Sequence, residues 1–195
     1  IYARIGTSAA ASIQICSTVM NLFMIVTFGL ANAAVVIIGN EIGANRESEA
    51  ISASKKISSL SFKISILLAI VLAFLSKPIV SFFNVSVEVK IASEYILYVY
   101  AFILVFKIYN AVMIVGILRG GGDATYGSIL QGLTLWLIGI PLAAFAAFII
   151  KLPIYFVVMF AAVEEIIKVF FMMKRFKSFK WIKNMVNDEQ NEVLA

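Results

Sequence analysis

Four charged side chains stand inside apolar stretches of this chain, and their types and spacing could support ion or proton transfer. Lys107 lies in one such stretch, and Glu164, Glu165 and Lys168 lie in another. An unpaired charge in hydrocarbon costs about 2.5–3.5 kcal/mol or more, so we expect Lys107 to pair with Glu164 or Glu165. Two interpretations stay open: a relay or substrate pathway, or a buried ion pair that fixes helix register.

The stretches that carry these charges are long enough to cross a lipid bilayer. Hydrophobic residues make up 62% of the 195 residues and charged residues only 14%, against roughly 45–50% and about 25% in soluble domains. A membrane-spanning helix needs roughly 20 apolar residues. The sequence therefore predicts an all-α, polytopic membrane helix bundle, with spans near 10–38, 57–75, 91–117, 128–149 and 153–173.

The Lys and Arg residues between the predicted spans set the expected orientation. One side of the membrane receives nine of them, in 39–56, 118–127 and the tail 174–195, and the other side receives four. Because basic loops stay in the cytoplasm, we expect a plasma-membrane protein with a cytoplasmic C-terminus. In the segment 174–183, aromatic residues alternate with basic ones, which favours an anchor on the anionic lipid surface over a nucleic-acid site.

Residue counts exclude several kinds of chemistry. The chain has no His and a single Cys, which excludes His-based acid–base catalysis, His metal sites and multi-Cys metal sites. We therefore expect no enzyme activity, no metal and no organic cofactor.

Uncharged polar residues within the spans are candidates for lining a cavity. Three of them, at spacing i, i+3 and i+7, share one face of the first predicted helix. Interhelical hydrogen bonds are the alternative role for such residues in a bilayer. The candidates are Gln14, Ser17, Asn21, Asn32, Asn110, Gln131 and Trp136.

Two further motifs indicate a turn and a hinge. The string from Arg119 through Gly120 to Asp123 lacks the ending of a phosphate-binding loop and instead predicts a tight turn. Its glycines suit a left-handed helix end, and Asp123 suits the N-cap of the next helix. Gly139 and Pro141 lie in the middle of the fourth span, where a proline kinks the helix and could form a hinge.

Four segments, in this order and spacing, resemble the C-terminal half of multidrug and toxic compound extrusion (MATE) transporters. They are RIGT at 4–7, GNEIGA at 39–44, GILRGGGD at 116–123 and WLIGIPLA at 136–143. The resemblance implies one lobe, about five helices, of a twelve-helix transporter, whose N-terminal lobe is the expected partner. It also implies that Gln14 lines the drug cavity, whereas 106–110 lacks the acid that some sodium-coupled members carry there.

The resemblance implies secondary active export of cationic or amphipathic small molecules in exchange for protons or sodium, by alternating access. A related flippase for lipid-linked oligosaccharides or polysaccharides is the first alternative. A membrane subunit that transports nothing is the second.

Overall fold

The computed structural model describes residues 6–183, and within that range the chain is helical without strands. The helices are α1 (Thr7–Gly43), α2 (Glu47–Ser81), α3 (Val87–Ala111), α4 (Ala124–Thr134), α5 (Ile140–Ala144) and α6 (Ile154–Lys177). Three π-helical segments, Val112–Leu118, Leu135–Gly139 and Phe145–Ile149, extend α3, join α4 to α5 and extend α5. The predicted all-α bundle is confirmed. The start of the RIGT motif and the tail beyond 183 lie outside the described residues.

Four helical rods are long and apolar enough to cross a membrane. They are Thr7–Gly43, Glu47–Ser81, Val87–Leu118 and Ala124–Ile149, and they contain the first four predicted spans. The fifth predicted span falls on α6, a helix of 24 residues that carries charged side chains near its middle. Its passage through the membrane stays a prediction.

The rod formed by α3 and its π-helical extension is the centre of the bundle. It packs against α1, α2 and α6. Of its apolar 18-residue stretch, 67% is buried, compared with 22% of the corresponding stretch in α1 and in α2. Fully buried side chains such as Leu97, Leu104 and Ile108 form its core. The outer helices expose large apolar side chains, as expected where a helix faces lipid.

Small residues let α1 approach this central rod at backbone distance. A Cβ atom on Gly116 would lie 2.8 Å from the Cβ of Ala34, and one on Gly120 would lie 3.0 Å from the Cα of Val35. Close packing of this kind drives helix association in membranes, where water does not force apolar faces together. Glycine is therefore needed at both positions because any side chain would push the helices apart.

Pro141 lies in the rod Ala124–Ile149 between two π-helical segments. It occupies the first turn of α5, just after the π-helical segment that ends at Gly139. The rod is helical on both sides of this point, so one backbone hydrogen bond of the rod cannot form at Pro141, which lacks an N–H. A hinge motion at this point stays a prediction.

Candidate functional site

A cavity of about 480 Å³ opens between α1, α3, the α4–α5 rod and α6. Its walls are mainly apolar, with side chains such as Met20, Ile103 and Leu135. Three charged residues also line it, namely Lys107 from α3 and Glu164 and Glu165 from α6. Mostly apolar walls with a few charged groups are typical of sites for small molecules.

The two glutamates share one lysine on their own helix. Lys168 Nζ lies 3.1 Å from Glu164 Oε2 and 3.3 Å from Glu165 Oε2. All three side chains are nearly buried, with exposed fractions of 5%, 11% and 13%. The favourable spacing of Glu164 and Lys168 therefore produces an ion pair. Glu164, Glu165 and Lys168, here called the triad, carry a net charge of −1 when all three groups are ionised.

The predicted pairing of Lys107 with these glutamates is wrong. Within residues 6–183, Lys107 forms no ion pair and instead lines the cavity from α3, half-buried. Lys168 stands one helical turn from both carboxylates, so it reaches them without help from another helix. Lys107 is thus a second cation in the same cavity as two carboxylates that already form ion pairs with Lys168.

Asn110 connects α3 to this charged group. Its side-chain nitrogen donates to the backbone oxygen of Glu165 at 2.8 Å and to Glu165 Oε2 at 2.7 Å. Asn110 is 2% exposed and does not line the cavity. Of its two predicted roles, the structure supports the interhelical hydrogen bond. Within the described chain, Asn110 Oδ1 is a buried acceptor that receives no hydrogen bond, and Glu164 Oε2 has only its ion pair with Lys168.

Gly139 lies directly against the triad. A Cβ atom at this position would be 3.2 Å from Glu164 Cγ and 3.3 Å from the backbone oxygen of Ala161. The missing side chain therefore lets the α4–α5 rod approach α6 at the cavity wall. The sequence predicted a hinge here but gave no sign of the contact with Glu164, which depends on how two helices meet.

The remaining polar candidates lie on outer faces of the described bundle. Gln14, Asn21 and Asn32 are exposed on α1, opposite its buried face, and Ser17 is half-buried. Gln131 is exposed, and Trp136 is 69% exposed. The described residues do not bring these side chains to the cavity of Lys107. Their place in a cavity shared with a second lobe stays a prediction.

The turn between the central rod and α4 has the predicted shape but a different bonding pattern. Gly122 adopts a φ of 86°, the left-handed conformation predicted for a glycine here. Asp123 occupies the N-cap position but makes no capping hydrogen bond, so its predicted capping role is wrong. Its carboxylate instead accepts hydrogen bonds from Arg175 Nε and Lys183 Nζ, both at 2.7 Å.

The segment after α6 folds back onto this turn. Trp181 is fully buried, its indole nitrogen donates to the backbone oxygen of Phe176 at 3.1 Å, and its ring stacks on that of Phe176. The predicted lipid anchor is therefore wrong for Trp181, which packs against protein. The exposed side chains Lys177 and Phe179 keep that role as a prediction.

A helix bundle with four apolar rods long enough to cross a bilayer is typical of polytopic membrane proteins. The profile of the MatE family matches residues 1–145. The chain therefore belongs to the MatE family of transporters, which confirms the resemblance seen in its motifs. No curated protein and no solved structure matches the chain. Helix α6, with Glu164, Glu165 and Lys168, lies beyond the matched residues.

Proposed function

We propose that this chain is one lobe of a secondary active antiporter that exports cationic or amphipathic small molecules in exchange for protons or sodium. Membership of the MatE family supports transport in general. The observation that carries the finer proposal is the cavity of about 480 Å³ with apolar walls and a charged group on one side. The second lobe of the same transporter would complete the pathway, and the two lobes would rock to alternate access.

The charge of the site favours a monovalent, amphipathic cation. Glu164, Glu165 and Lys168 together carry one net negative charge in an environment of low dielectric, where an electrostatic attraction is stronger than in water. An apolar substrate body fits the walls, and its positive group would face the carboxylates. Lys107, which lines the same cavity from α3, would compete with the substrate for the same negative charge.

The same carboxylates support exchange against a coupling ion. A proton on Glu164 or Glu165 would cancel the net negative charge and weaken the hold on an organic cation, so that the ion and the substrate bind alternately. Sodium also prefers oxygen ligands, which the carboxylates and the buried Asn110 Oδ1 could supply. Both coupling ions are therefore part of the proposal.

Efflux of a fluorescent organic cation from proteoliposomes that hold the full-length transporter tests this proposal. A proton or a sodium gradient is imposed in separate runs. We expect Glu164→Gln and Glu165→Gln each to reduce gradient-driven efflux by about 10-fold or more, since one charge is lost from a buried site. Glu94→Gln is the matched control, because Glu94 is outside this cavity and interacts with Tyr98 on the same helix.

Full gradient-coupled efflux in both variants would contradict the role of the triad. Failure of the unmodified transporter to move any organic cation, together with movement of a lipid-linked oligosaccharide, would replace drug export by the flippase function.

The excess of basic residues on one side supports a plasma-membrane location with a cytoplasmic C-terminus. Cysteine labelling of the exposed Lys177 position from either side of the membrane tests that orientation.

A further inference from the structure

A second cavity, of about 440 Å³, lies between α2, α3 and α6. Its walls are apolar and aromatic, and include Phe62, Val105, Phe106, Val169 and Phe176. It shares no lining residue with the cavity of Lys107, and α1 contributes nothing to it. We call it the α2–α6 cleft. It is separate from the proposed transport site and from the polar face of α1.

The floor of the α2–α6 cleft offers few free polar groups. The hydroxyl groups of Ser58 and Tyr109 are 2.9 Å apart and hydrogen-bonded, and the Tyr109 hydroxyl also donates to Met173 Sδ at 3.0 Å. These three side chains lie on three different helices and satisfy one another. A polar solute would therefore gain little inside the cleft, whereas an aliphatic chain would cover apolar surface there.

The mouth of the cleft is basic. Lys55 and Ser59 are exposed, stand one turn apart on α2 and line the cleft, and no carboxylate lines it within residues 6–183. Lys55 Nζ lies 6.0 Å from the ring centroid of Phe179. On the opposite helix, the exposed Lys177 follows the lining residue Met173 by one turn. Lys55 and Ser59 thus lie at the entrance, and Lys177 lies one helical turn beyond the cleft on α6.

The sequence places this entrance at a membrane boundary. On α2, Lys55 and Lys56 directly precede the predicted span 57–75, and on α6, Lys174 and Lys177 come after the predicted span 153–173. The cleft therefore extends from a basic rim into the hydrocarbon layer. An amphipathic molecule in the bilayer has this same arrangement, with a polar head at the surface and a chain inside.

We propose that the α2–α6 cleft binds an anionic phospholipid. One acyl chain lies along Phe62, Phe106 and Val169, and the phosphate is bound by Lys55, Ser59 and Lys177. The positive rim complements the negative headgroup, and the apolar length of the cleft accommodates a chain that a free phosphate does not have. Each basic residue near an anionic membrane surface adds to the attraction, so two lysines favour anionic over zwitterionic lipid.

Native mass spectrometry of the full-length protein with defined lipids tests this site. Phosphatidylglycerol and phosphatidylcholine with identical acyl chains are titrated in parallel. We expect the unmodified protein to bind phosphatidylglycerol about 10-fold or more tightly than phosphatidylcholine, and the double variant Lys55→Gln/Lys177→Gln to lose most of that preference. The double variant Lys77→Gln/Lys151→Gln removes the same charge at the other end of the helices and is expected to keep the preference.

Three results would overturn the proposal. They are equal binding of the two lipids to the unmodified protein, an equal loss of preference in the two double variants, and displacement of phosphatidylglycerol by equimolar glycerol phosphate. The last result would identify a site for free phosphate compounds, since glycerol phosphate has the charge without the chain. All of these readouts measure binding, so they do not depend on whether the protein exports organic cations.

Discussion

Lys183 Nζ lies 2.7 Å from Asp123 Oδ1, although the two residues are 60 positions apart in the chain. Arg175 Nε binds the other carboxylate oxygen at the same distance, and the Lys183 N–H donates to the Gly121 carbonyl at 2.8 Å. Trp181 packs against Gly121. These five residues, here called the clasp, join the end of α6 to the turn before α4. Movement of one element therefore requires the other to move or the clasp to open.

The clasp predicts the effect of Asp123→Asn. Asparagine keeps the shape of the side chain but removes the charge that strengthens the hydrogen bonds from Arg175 and Lys183. Since hydrogen bonds to charged groups contribute about 1.5–3 kcal/mol, the free energy of unfolding should fall by about that amount, measured as a lower melting temperature in detergent. Glu49→Gln removes an exposed carboxylate outside the clasp and should change the melting temperature little. Equal losses in the two variants would contradict this role.

The clasp also predicts how stability depends on pH. Burial raises the pKa of the Asp123 carboxyl, but hydrogen bonds from Arg175 and Lys183 outweigh it and lower that pKa below its ordinary value. The stability that the clasp contributes is then fully present above about 3.9, the pKa of Asp123 in the unfolded chain. It is lost as the pH falls through the lower pKa of Asp123 in the folded protein. The difference in melting temperature between unmodified protein and Asp123→Asn should shrink below about pH 4. A difference that is constant across this range would contradict the prediction.

Gly121→Ala tests the fit of the folded-back segment. The new Cβ would collide with the Trp181 ring and lie 2.6 Å from the Trp181 carbonyl oxygen, which belongs to the backbone and cannot simply rotate away. We expect the segment to detach, with a lower melting temperature and faster tryptic cleavage near Arg175. Gly29→Ala is the control, because its Cβ has nothing within 4 Å. Unchanged cleavage in Gly121→Ala would show that the segment is not held by this contact.

Much of the fold could be predicted because it follows from local properties of the sequence. The length of the apolar runs predicts the membrane-crossing rods, and the glycine string predicts the left-handed turn found at Gly122. The partners of Glu164 and Glu165 could not be predicted in this way. Depth in the membrane places Lys107 at a similar level, but the direction in which each helix face points decides the contact. Lys168 lies on the same helix as both glutamates, so its contact with them does not depend on how two helices face each other.

The position of Trp181 shows the same limit. A basic and aromatic segment after an apolar helix is typical of a lipid anchor, and its composition gives no sign of burial in protein. Phe179 adopts a φ of 55°, which is uncommon for a residue with a side chain. This reversal brings the chain back so that Trp181 stacks on Phe176. Contacts with the distant turn stabilise the reversal, and the sequence of the segment alone does not contain them.

Gly139→Ala separates packing at the proposed transport site from folding. The added Cβ would lie 3.2 Å from Glu164 Cγ and 3.3 Å from the Ala161 carbonyl oxygen, so α6 must shift by a few tenths of an ångström. That shift would alter the contact of Lys168 with the carboxylates, and we expect efflux of the fluorescent cation to fall several-fold. Alanine favours the helix over glycine by up to about 1 kcal/mol, so the melting temperature should not fall by much.

Gly132→Ala is the matched control for this change. It lies on the same rod, and its Cβ would have nothing within 4 Å, so efflux should stay near that of the unmodified transporter. Efflux near that of the unmodified transporter in both variants would mean that close approach of the rod to Glu164 is not needed for transport. A parallel loss of efflux in both would attribute the effect to helix stiffness, because alanine stiffens the rod at either position. Only a loss confined to Gly139→Ala agrees with a transport site at the triad.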